Sequence, residues 1–342
     1  MTSIVDTPAT RFAAEAVRAA SQLVRRVQRE MVGGPITKAD LSPVTVADLA
    51  AQALVAYLLS EQFPDAVLVG EEDAEALRGD ENRAALEQVT RFVGSLVPGV
   101  TPEVVCDWID GGTRDAKGSF WTLDPVDGTK GFLRNDQYAV ALALIEDGEV
   151  KVGALGCPEL VDAAKPAKGG AGSLVVAVRG QGAWTQPLGE ESAIWRQLHV
   201  SEVTEPAAAR LLRSVEKSHT DTDGIGELVT ELSIAAEPVP MDSQAKYAVL
   251  AAGGGEILLR LLSPSRPDYR EKIWDQAAGS IVIEEAGGRI TDLDGKDLDF
   301  SHGRTLAKNR GVLATNGPLH DKVLNGLRAL KVAKLPEGER WG

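Results

Sequence analysis

Two aspartates lie three residues apart in the segment WTLDPVDGTKGF, which contains an apolar, strand-like run. Asp124 and Asp127 are separated by a proline and a valine, and Thr129 and Lys130 follow almost at once. Carboxylate oxygens suit Mg²⁺, and two metal ions about 4 Å apart can clamp a phosphate ester for in-line attack by water. An ordinary turn capped by an aspartate has the same spacing, so the segment alone leaves both interpretations open.

Other acidic side chains fall where sites gather in α/β proteins. Glu71 and Glu72 end a short apolar run, Asp48 lies near the start of a predicted helix, and Asp275 opens another. Ligands commonly bind beyond the carboxyl ends of strands, which favours a shared metal site. Helix capping and solvation are the alternative roles for each of these acids.

Composition limits the classes of partner that this chain can have. It has 342 residues and a formal net charge of −14, whereas a long nucleic acid or an anionic membrane would need a basic face. No segment has the ~18 uninterrupted apolar residues of a membrane helix, and the N-terminus lacks a signal-peptide core. We therefore expect a cytoplasmic protein, with a transit peptide as the alternative. Cys106 and Cys157 do not make a disulfide framework, and a redox role stays open.

The first half of the chain shows helical and then strand periodicity. The pattern predicts a helix from about residue 8 to 31, a second helix capped by Thr45, and helical structure over residues 74–97. A period-2 pattern from near Val104 predicts strands, and Asp147–Gly148 predicts a hairpin turn. After about residue 200 strands alternate with helices, which is typical of an α/β lobe.

Several motifs, in order along the chain, resemble one family. GEE, LDPVDGTKGF and WDQAAGSIVIEEAGG are similar to the inositol monophosphatase superfamily of Mg²⁺-dependent, lithium-sensitive phosphatases. Within it, SPVTVADLAAQ, DSQAKY, EKIWD and LDFSHGRTLA resemble the 3′(2′),5′-bisphosphate nucleotidases. The matches span about residues 35–317. The segment between Arg260 and Lys272 is slightly longer than the family usually has.

The resemblance implies a layered αβαβα sandwich, as in the inositol monophosphatase and fructose-1,6-bisphosphatase fold. An α+β lobe over residues 1–160 would carry most of the metal ligands. An α/β lobe over residues 161–342 would carry Asp275 and a nucleotide pocket. The flexible segment PAKGGAG lies near the expected join of the two lobes.

The resemblance also implies a set of two to three Mg²⁺ ions. Glu71, Asp124 and the carbonyl of Val126 would hold the first ion, and Asp124, Asp127 and Asp275 the second. A third, weaker ion would contact Glu71 and the phosphate through water.

Further roles follow from the same resemblance. Asp48 and Thr129 would position and deprotonate the attacking water. On the substrate side, the resemblance places Ser218 and His219 near the sugar or phosphate, Ser243 by the base, and Lys246 and Arg260 toward the 5′-phosphate. Asp275 is expected to contact the substrate as well as the metal. A Lys and an Arg suit a 5′-phosphate, which carries about two negative charges near neutral pH.

The expected function is Mg²⁺-dependent hydrolysis of the 3′-phosphate of adenosine 3′,5′-bisphosphate, with phosphoadenosine phosphosulfate as a second substrate. The resemblance implies a monomer, a place in sulfate activation, and inhibition by lithium and sodium. One alternative is a superfamily phosphatase of inositol phosphates or fructose bisphosphate, against which DSQAKY and the Lys246–Arg260 pair argue. The other is a catalytically silent nucleotide sensor, against which the full set of acids and Thr129 argues. The role of Lys130 and the preference for a 3′- or 2′-phosphate stay open.

Overall fold

A computed structural model describes residues 7–32, 43–214, 221–263 and 266–330. The helices in these stretches are α1 (Pro8–Val27), α2 (Pro43–Gln62), α3 (Arg83–Gly94), α4 (Pro102–Asp110), α5 (Thr129–Leu133), α6 (Thr222–Glu231), α7 (Ala245–Ala251), α8 (Ala277–Glu285) and α9 (His320–Leu330). The strands are β1 (Leu68–Gly70), β2 (Ser119–Asp127), β3 (Ala139–Glu146), β4 (Glu149–Cys157), β5 (Leu160–Val161), β6 (Lys165–Pro166), β7 (Ser173–Val178), β8 (Gly182–Pro187), β9 (Arg196–Gln197), β10 (Leu211–Arg213), β11 (Val239–Pro240), β12 (Ile257–Arg260), β13 (Arg289–Thr291) and β14 (Val312–Thr315).

The larger sheet has seven strands in the order β1-β2-β3-β4-β7-β8-β9. Its β1–β2 pair is parallel and the other pairs are antiparallel. Strand β3 buries both faces: Leu142 and Leu144 lie in one core, and Ala141 and Ala143 lie in another. Because successive side chains alternate between faces, a strand covered on both sides is apolar throughout.

Helices and sheets form five layers. Helices α1 to α4 cover one face of the larger sheet, and α7 and α8 cover the other. The second sheet, in the order β11-β10-β12-β14-β13, packs its inner face on α7 and α8 and its outer face on α6 and α9. This αβαβα order confirms the predicted fold class.

The boundaries of some elements differ from the prediction. Helix α2 begins at Pro43, so the predicted N-cap at Thr45 is wrong. The strand predicted from Val104 is also wrong, because Pro102 and a capping hydroxyl start helix α4 there. The Thr101 hydroxyl accepts a hydrogen bond from the Val104 N–H at 3.4 Å.

The remaining predicted elements agree better with the structure. The first helix is confirmed, and it continues into a π-helical turn at Gln28–Val32. The helical range predicted over residues 74–97 holds two short 3-10 turns followed by α3. The β3–β4 hairpin at Asp147–Gly148 is confirmed, and both turn residues have the positive φ values, 50° and 82°, that this turn requires.

The larger sheet extends beyond the predicted boundary between the lobes. Strands β7, β8 and β9 follow residue 160, yet they continue the sheet from β4 as far as Gln197. The division at residue 160 stays a prediction. Within the described stretches, no helix combines the length and the apolar character needed to cross a bilayer. Cys106 and Cys157 are buried free thiols, and burial raises the pKa of Cys157 to about 12.

Candidate active site

A bulge at the end of β2 brings the two aspartates of the DPVD segment to the same side. Asp124 pairs with Ala141 and Asp127 pairs with Ala139, so three steps on β2 match two steps on β3. In a regular strand, side chains three residues apart face opposite sides of the sheet. One extra residue in the strand, a β-bulge, brings both side chains to the same side. Both carboxylates can therefore serve one site.

The turn after the bulge needs glycine. Gly128 has φ 90°, and a Cβ at this position would lie 2.7 Å from the Cβ of Ser243. Any other residue would therefore meet both backbone strain and a steric clash. The turn leads directly into α5 and leaves Thr129 and Lys130 exposed at the edge of a cavity.

A buried glutamine fastens the loop after β1 to helix α2. The Gln52 side chain donates to the carbonyls of Glu72 (2.7 Å) and Ile109 (2.9 Å), and it accepts from the Glu72 N–H at 3.1 Å. Gln52 lies four residues after Asp48 on α2, so the two share one face of the helix. The loop that carries Glu71 is therefore fixed relative to Asp48.

A second buried glutamine fastens the segment that carries Asp275, which lies just before α8. The Gln244 side chain donates to the Trp274 carbonyl at 3.0 Å and accepts from the Gly279 N–H at 3.2 Å. Its backbone N–H donates to Oδ2 of Asp127 at 2.5 Å. Gln244 thus connects the end of β2 with the residue that precedes Asp275.

The end of β2 and the segments that carry Ser243 and Asp275 border a cavity of about 420 Å³. Six residues predicted for the site line this cavity: Asp127, Thr129, Ser243, Lys246, Arg260 and Asp275. The predicted residues Asp48, Glu71, Asp124 and Val126 do not line it, and its remaining lining residues are Gly128, Lys130, Gly131, Ser214, Asp242 and Tyr269. Ser218 and His219, which were also predicted, lie outside the described residues.

The acids beside the cavity are close enough to affect one another's protonation. Burial raises the pKa of Asp48, Asp124 and Asp275 well above the usual range of aspartate. The Glu71 carboxylate raises the pKa of all three further, while Arg260 opposes the rise at Asp275. Glu71 is thus a common neighbour of acids that come from α2, β2 and the segment before α8.

Glu71 itself is shifted by the same effects. Partial burial, followed by the charges of Glu72 and Asp127, raises the pKa of Glu71 to about 7, against the opposing charges of Lys272 and Arg304. Solvent still reaches the Glu71 side chain. It is therefore the most accessible of the predicted acidic metal ligands.

The acid cluster fits a divalent cation. Oδ1 of Asp124 is buried, and it has no hydrogen-bond partner among the residues that the structure describes. In the same stretches, no three acidic, histidine or cysteine side chains already form a complete metal cage. Carboxylates that repel one another around a partnerless buried oxygen are the donor set that Mg²⁺ prefers. The carboxylates would have to move closer together before they could share one ion.

Two cationic side chains, Lys246 and Arg260, line the same cavity. Lys246 is 7% exposed, and burial lowers its pKa to about 8 although the charge of Asp127 opposes this change. Arg260 forms an ion pair with Glu271 at 2.9 Å. Burial works against the Arg260 charge, but the carboxylates of Glu271 and Asp275 raise its pKa. We call Lys246 and Arg260 the cationic wall of the cavity, and we call Asp127 and Asp275, together with the acids clustered behind them, the acidic wall. The acids behind are Asp48, Glu71 and Asp124.

The structure adds lining residues that the sequence did not single out. Asp242 accepts from the Ser214 hydroxyl at 3.1 Å and is also paired with Arg134. Ser243, next in sequence, has a left-handed backbone with φ 64°, a strained conformation that concentrates at functional sites. Asp242 opens the DSQAKY motif and could have been noticed there, whereas Tyr269 lies in the longer segment, where no motif marks it.

Comparisons with known proteins identify the family of this chain. Residues 5–331 match the inositol monophosphatase family. The chain is 41% identical to a 3′(2′),5′-bisphosphate nucleotidase of Emericella nidulans, over 95% of this chain and 98% of that protein. It is 40% identical to proteins of the same name from Schizosaccharomyces pombe, over 93% of this chain and 94% of that protein, and from Oryza sativa, over 92% of each.

Solved structures show the same fold. Mycobacterium tuberculosis SuhB aligns with a TM-score of 0.62 at 19% identity, covering 96% of this chain and 100% of its own. An IMPase of Thermotoga maritima aligns with a TM-score of 0.61 at 18% identity, covering 95% and 100%. This superfamily is generally metal-dependent. The resemblance predicted from the motifs is confirmed, and the chain belongs to the inositol monophosphatase family of phosphatases.

Proposed function

We propose that this chain hydrolyses the 3′-phosphate of adenosine 3′,5′-bisphosphate to give AMP and phosphate, and that it also accepts phosphoadenosine phosphosulfate. The observation that carries this proposal is the cavity of about 420 Å³ that both acidic and cationic side chains line. A bisphosphorylated nucleotide has one phosphate for each wall. The names of the relatives that cover more than nine-tenths of the chain support the same substrate class.

The acidic wall would hold two to three Mg²⁺ ions. When bound, Mg²⁺ would neutralise the phosphate oxygens, stabilise the leaving alkoxide and lower the pKa of water. The residues proposed to hold the ions are Glu71, Asp124, Asp127 and Asp275, together with the carbonyl of Val126. The bulge in β2 supports this set, because it turns two of the carboxylates to one side.

Asp48 and Thr129 would act on the attacking water. The Thr129 hydroxyl would orient the water, and Asp48 would accept its proton as the new oxygen–phosphorus bond forms and the bond to O3′ breaks. A carboxylate held within hydrogen-bond reach of the water can serve as its general base. Direct attack by water needs no phosphoenzyme.

The cationic wall would bind the rest of the nucleotide. Lys246 and Arg260 would receive the 5′-phosphate, because charge-assisted hydrogen bonds in a buried site are strong. Ser243, which lies beside Gly128 at the turn after β2, would contact the base. Contacts of Ser218 and His219 with the sugar or phosphate stay a prediction. So do a cytoplasmic location, a monomeric state and a role in sulfate activation.

The test is phosphate release with Mg²⁺ from adenosine 3′,5′-bisphosphate, inositol 1-phosphate and fructose 1,6-bisphosphate, each with and without lithium. We expect strong preference for the nucleotide and inhibition by lithium. Preference for a polyol phosphate would keep the metal site but reject the nucleotide pocket. Tight nucleotide binding without turnover would instead indicate a sensor.

A further inference from the structure

The LDFSHGRTLA motif has no role in the site described so far, yet its second half lies against the segment that leads to Asp275. The Ile273 N–H donates to the Arg304 carbonyl at 3.2 Å, and the Leu306 N–H donates to the Glu271 carbonyl at 2.9 Å. These bonds flank an antiparallel bridge between residues 272 and 305. The motif is therefore joined by its backbone to the EKIWD segment.

The Arg304 side chain reaches a different part of the chain. Its guanidinium donates to the Gly70 carbonyl, to the Gly112 carbonyl at 3.2 Å and to the Arg114 carbonyl at 3.5 Å. Gly70 directly precedes Glu71, and its own N–H donates to the Gly112 carbonyl at 2.8 Å. The guanidinium thus holds the base of the loop that presents Glu71.

Arg304 also stacks on the residue before Asp275. Its Cζ lies 4.8 Å from the centroid of the Trp274 ring, and the indole is only 4% exposed. A cation–aromatic contact of this kind favours one arrangement of the two side chains, and Arg304 is itself only partly exposed. One guanidinium therefore touches the segments that carry two of the proposed metal ligands.

We propose that Arg304 is a positioning residue that holds the Glu71 loop and the Trp274–Asp275 segment in register, so that both carboxylates can bind the same group of divalent cations. This inference rests on the metal site of the proposed function. Arg304 lines neither the cavity nor the substrate pocket in the described residues. Residues that orient ligands from outside typically change metal affinity by about 10- to 100-fold.

The sign of the effect separates positioning from charge. A cation next to Glu71 repels a metal ion, so an Arg304 that acted only through its charge would weaken metal binding. Its removal would then strengthen binding. If Arg304 acts by positioning, its removal weakens binding, and so does Arg304→Lys, which keeps the charge but loses the planar set of donors that reaches several carbonyls.

The experiment measures binding of Mn²⁺ alone to the metal-free full chain, by the loss of the free-ion signal in electron paramagnetic resonance. Mn²⁺ shares the preference of Mg²⁺ for carboxylate oxygens. The variants are Arg304→Lys and Arg304→Met. Arg114→Ala is the matched control, because Arg114 is exposed and only its carbonyl meets Arg304. Circular dichroism checks that each variant is folded.

We expect both Arg304 variants to bind Mn²⁺ about tenfold or more weakly, with Arg114→Ala unchanged. Unchanged or tighter binding by Arg304→Lys, or tighter binding by Arg304→Met, would overturn the positioning role while leaving the proposed function intact. A wild-type chain that binds no Mn²⁺ would reject the metal site of the proposed function and this inference with it.

Discussion

The acidic and cationic walls of the cavity satisfy their charges differently. On the acidic wall, Asp124 keeps a buried oxygen that finds no partner in the described part of the chain, and its neighbours are other carboxylates. On the cationic wall, Lys246 donates to the Met241 carbonyl at 3.3 Å and Arg260 is paired with Glu271. Nε of Arg260 is also buried without a hydrogen-bond partner in the described residues, but the Arg260 charge is paired with Glu271, whereas the carboxylates of the acidic wall still need a cation.

This difference has a consequence for free energy. Buried like charges destabilise the folded state unless they are protonated or meet a counter-ion. The acidic wall should therefore depend on metal and on pH, whereas the cationic wall needs no metal and loses charge only as the pH approaches the lowered pKa of Lys246, about 8. The two walls interact through Asp127 and Asp275, so each substitution is judged against a matched control.

The largest effect is expected from Asp124→Asn. The substitution removes one of the charges proposed to hold Mg²⁺, so turnover should fall by about 10³-fold or more. Without metal, the Asp124→Asn variant should be at least as stable to heat as the wild type, because the substitution removes a buried charge that the neighbouring carboxylates repel. Phosphate release and thermal unfolding in the presence of a chelator measure the two effects.

Asp115→Asn is the matched control, since Asp115 is 81% exposed and pairs with Lys117 at 2.9 Å. It should change neither activity nor metal-free stability. Near-normal turnover by Asp124→Asn would remove Asp124 from the metal site. If Asp124→Asn were less stable than the wild type without metal, the protein itself would already compensate the Asp124 charge. The two walls would then not differ in the way described.

A smaller effect is expected from Lys246→Met, which keeps the volume of the side chain but not its charge. The KM for adenosine 3′,5′-bisphosphate should rise by about 10- to 100-fold, the usual value of a hydrogen bond to a charged group. The KM for 3′-AMP, which lacks the 5′-phosphate, should change little. Steady-state kinetics with the two substrates separates these outcomes.

Lys168→Met serves as the control here, because Lys168 is 63% exposed and lies 3.8 Å from Asp136, away from the cavity. Equal increases in KM for both nucleotides would show that Lys246 does not bind the 5′-phosphate. It would then act on the acidic wall instead, through its charge beside Asp127.

Local sequence patterns explain what could be predicted of this architecture. The Asp147–Gly148 turn and the DPVDGT segment each specify their backbone within a few residues, so the hairpin and the turn after β2 were recognisable. The strand predicted at Val104 was wrong because a two-residue signal, the N-cap Thr101 followed by Pro102, outweighed a weak alternation of apolar and polar residues. Capping fixes the start of a helix even where the side-chain pattern suits a strand.

The supporting residues of the site were harder to predict, because their partners are far away in sequence. Arg304 meets the carbonyl of Gly70, 234 residues earlier, and Gln244 meets Asp127, 117 residues earlier. Contacts between residues so far apart in sequence cannot be predicted from local periodicity or from the spacing of residues. The bulge in β2 is also a matter of register between strands, which only the pairing with β3 reveals.

The smallest effect, and the one that bears most directly on the acidic wall, is the pH dependence of metal-free stability. The pKa of Glu71 is raised in the folded state, from its ordinary value of 4.5 to about 7. Between these values the folded state binds more protons than the unfolded state, so this contribution to stability is lost as the pH rises through the window. The change should be modest, because solvent reaches Glu71 and screens its neighbours.

Urea unfolding of the wild type and of Glu71→Gln, at about pH 5 and about pH 8 with a chelator, isolates this contribution. The glutamine variant stays neutral, so the wild type should lose stability relative to it as the pH rises. Saturating Mg²⁺ should abolish or reverse the difference, because a bound cation favours the ionised carboxylate. If the wild type gained stability relative to the variant without metal, the acidic wall would already be compensated by the protein, and the two walls would not differ as described.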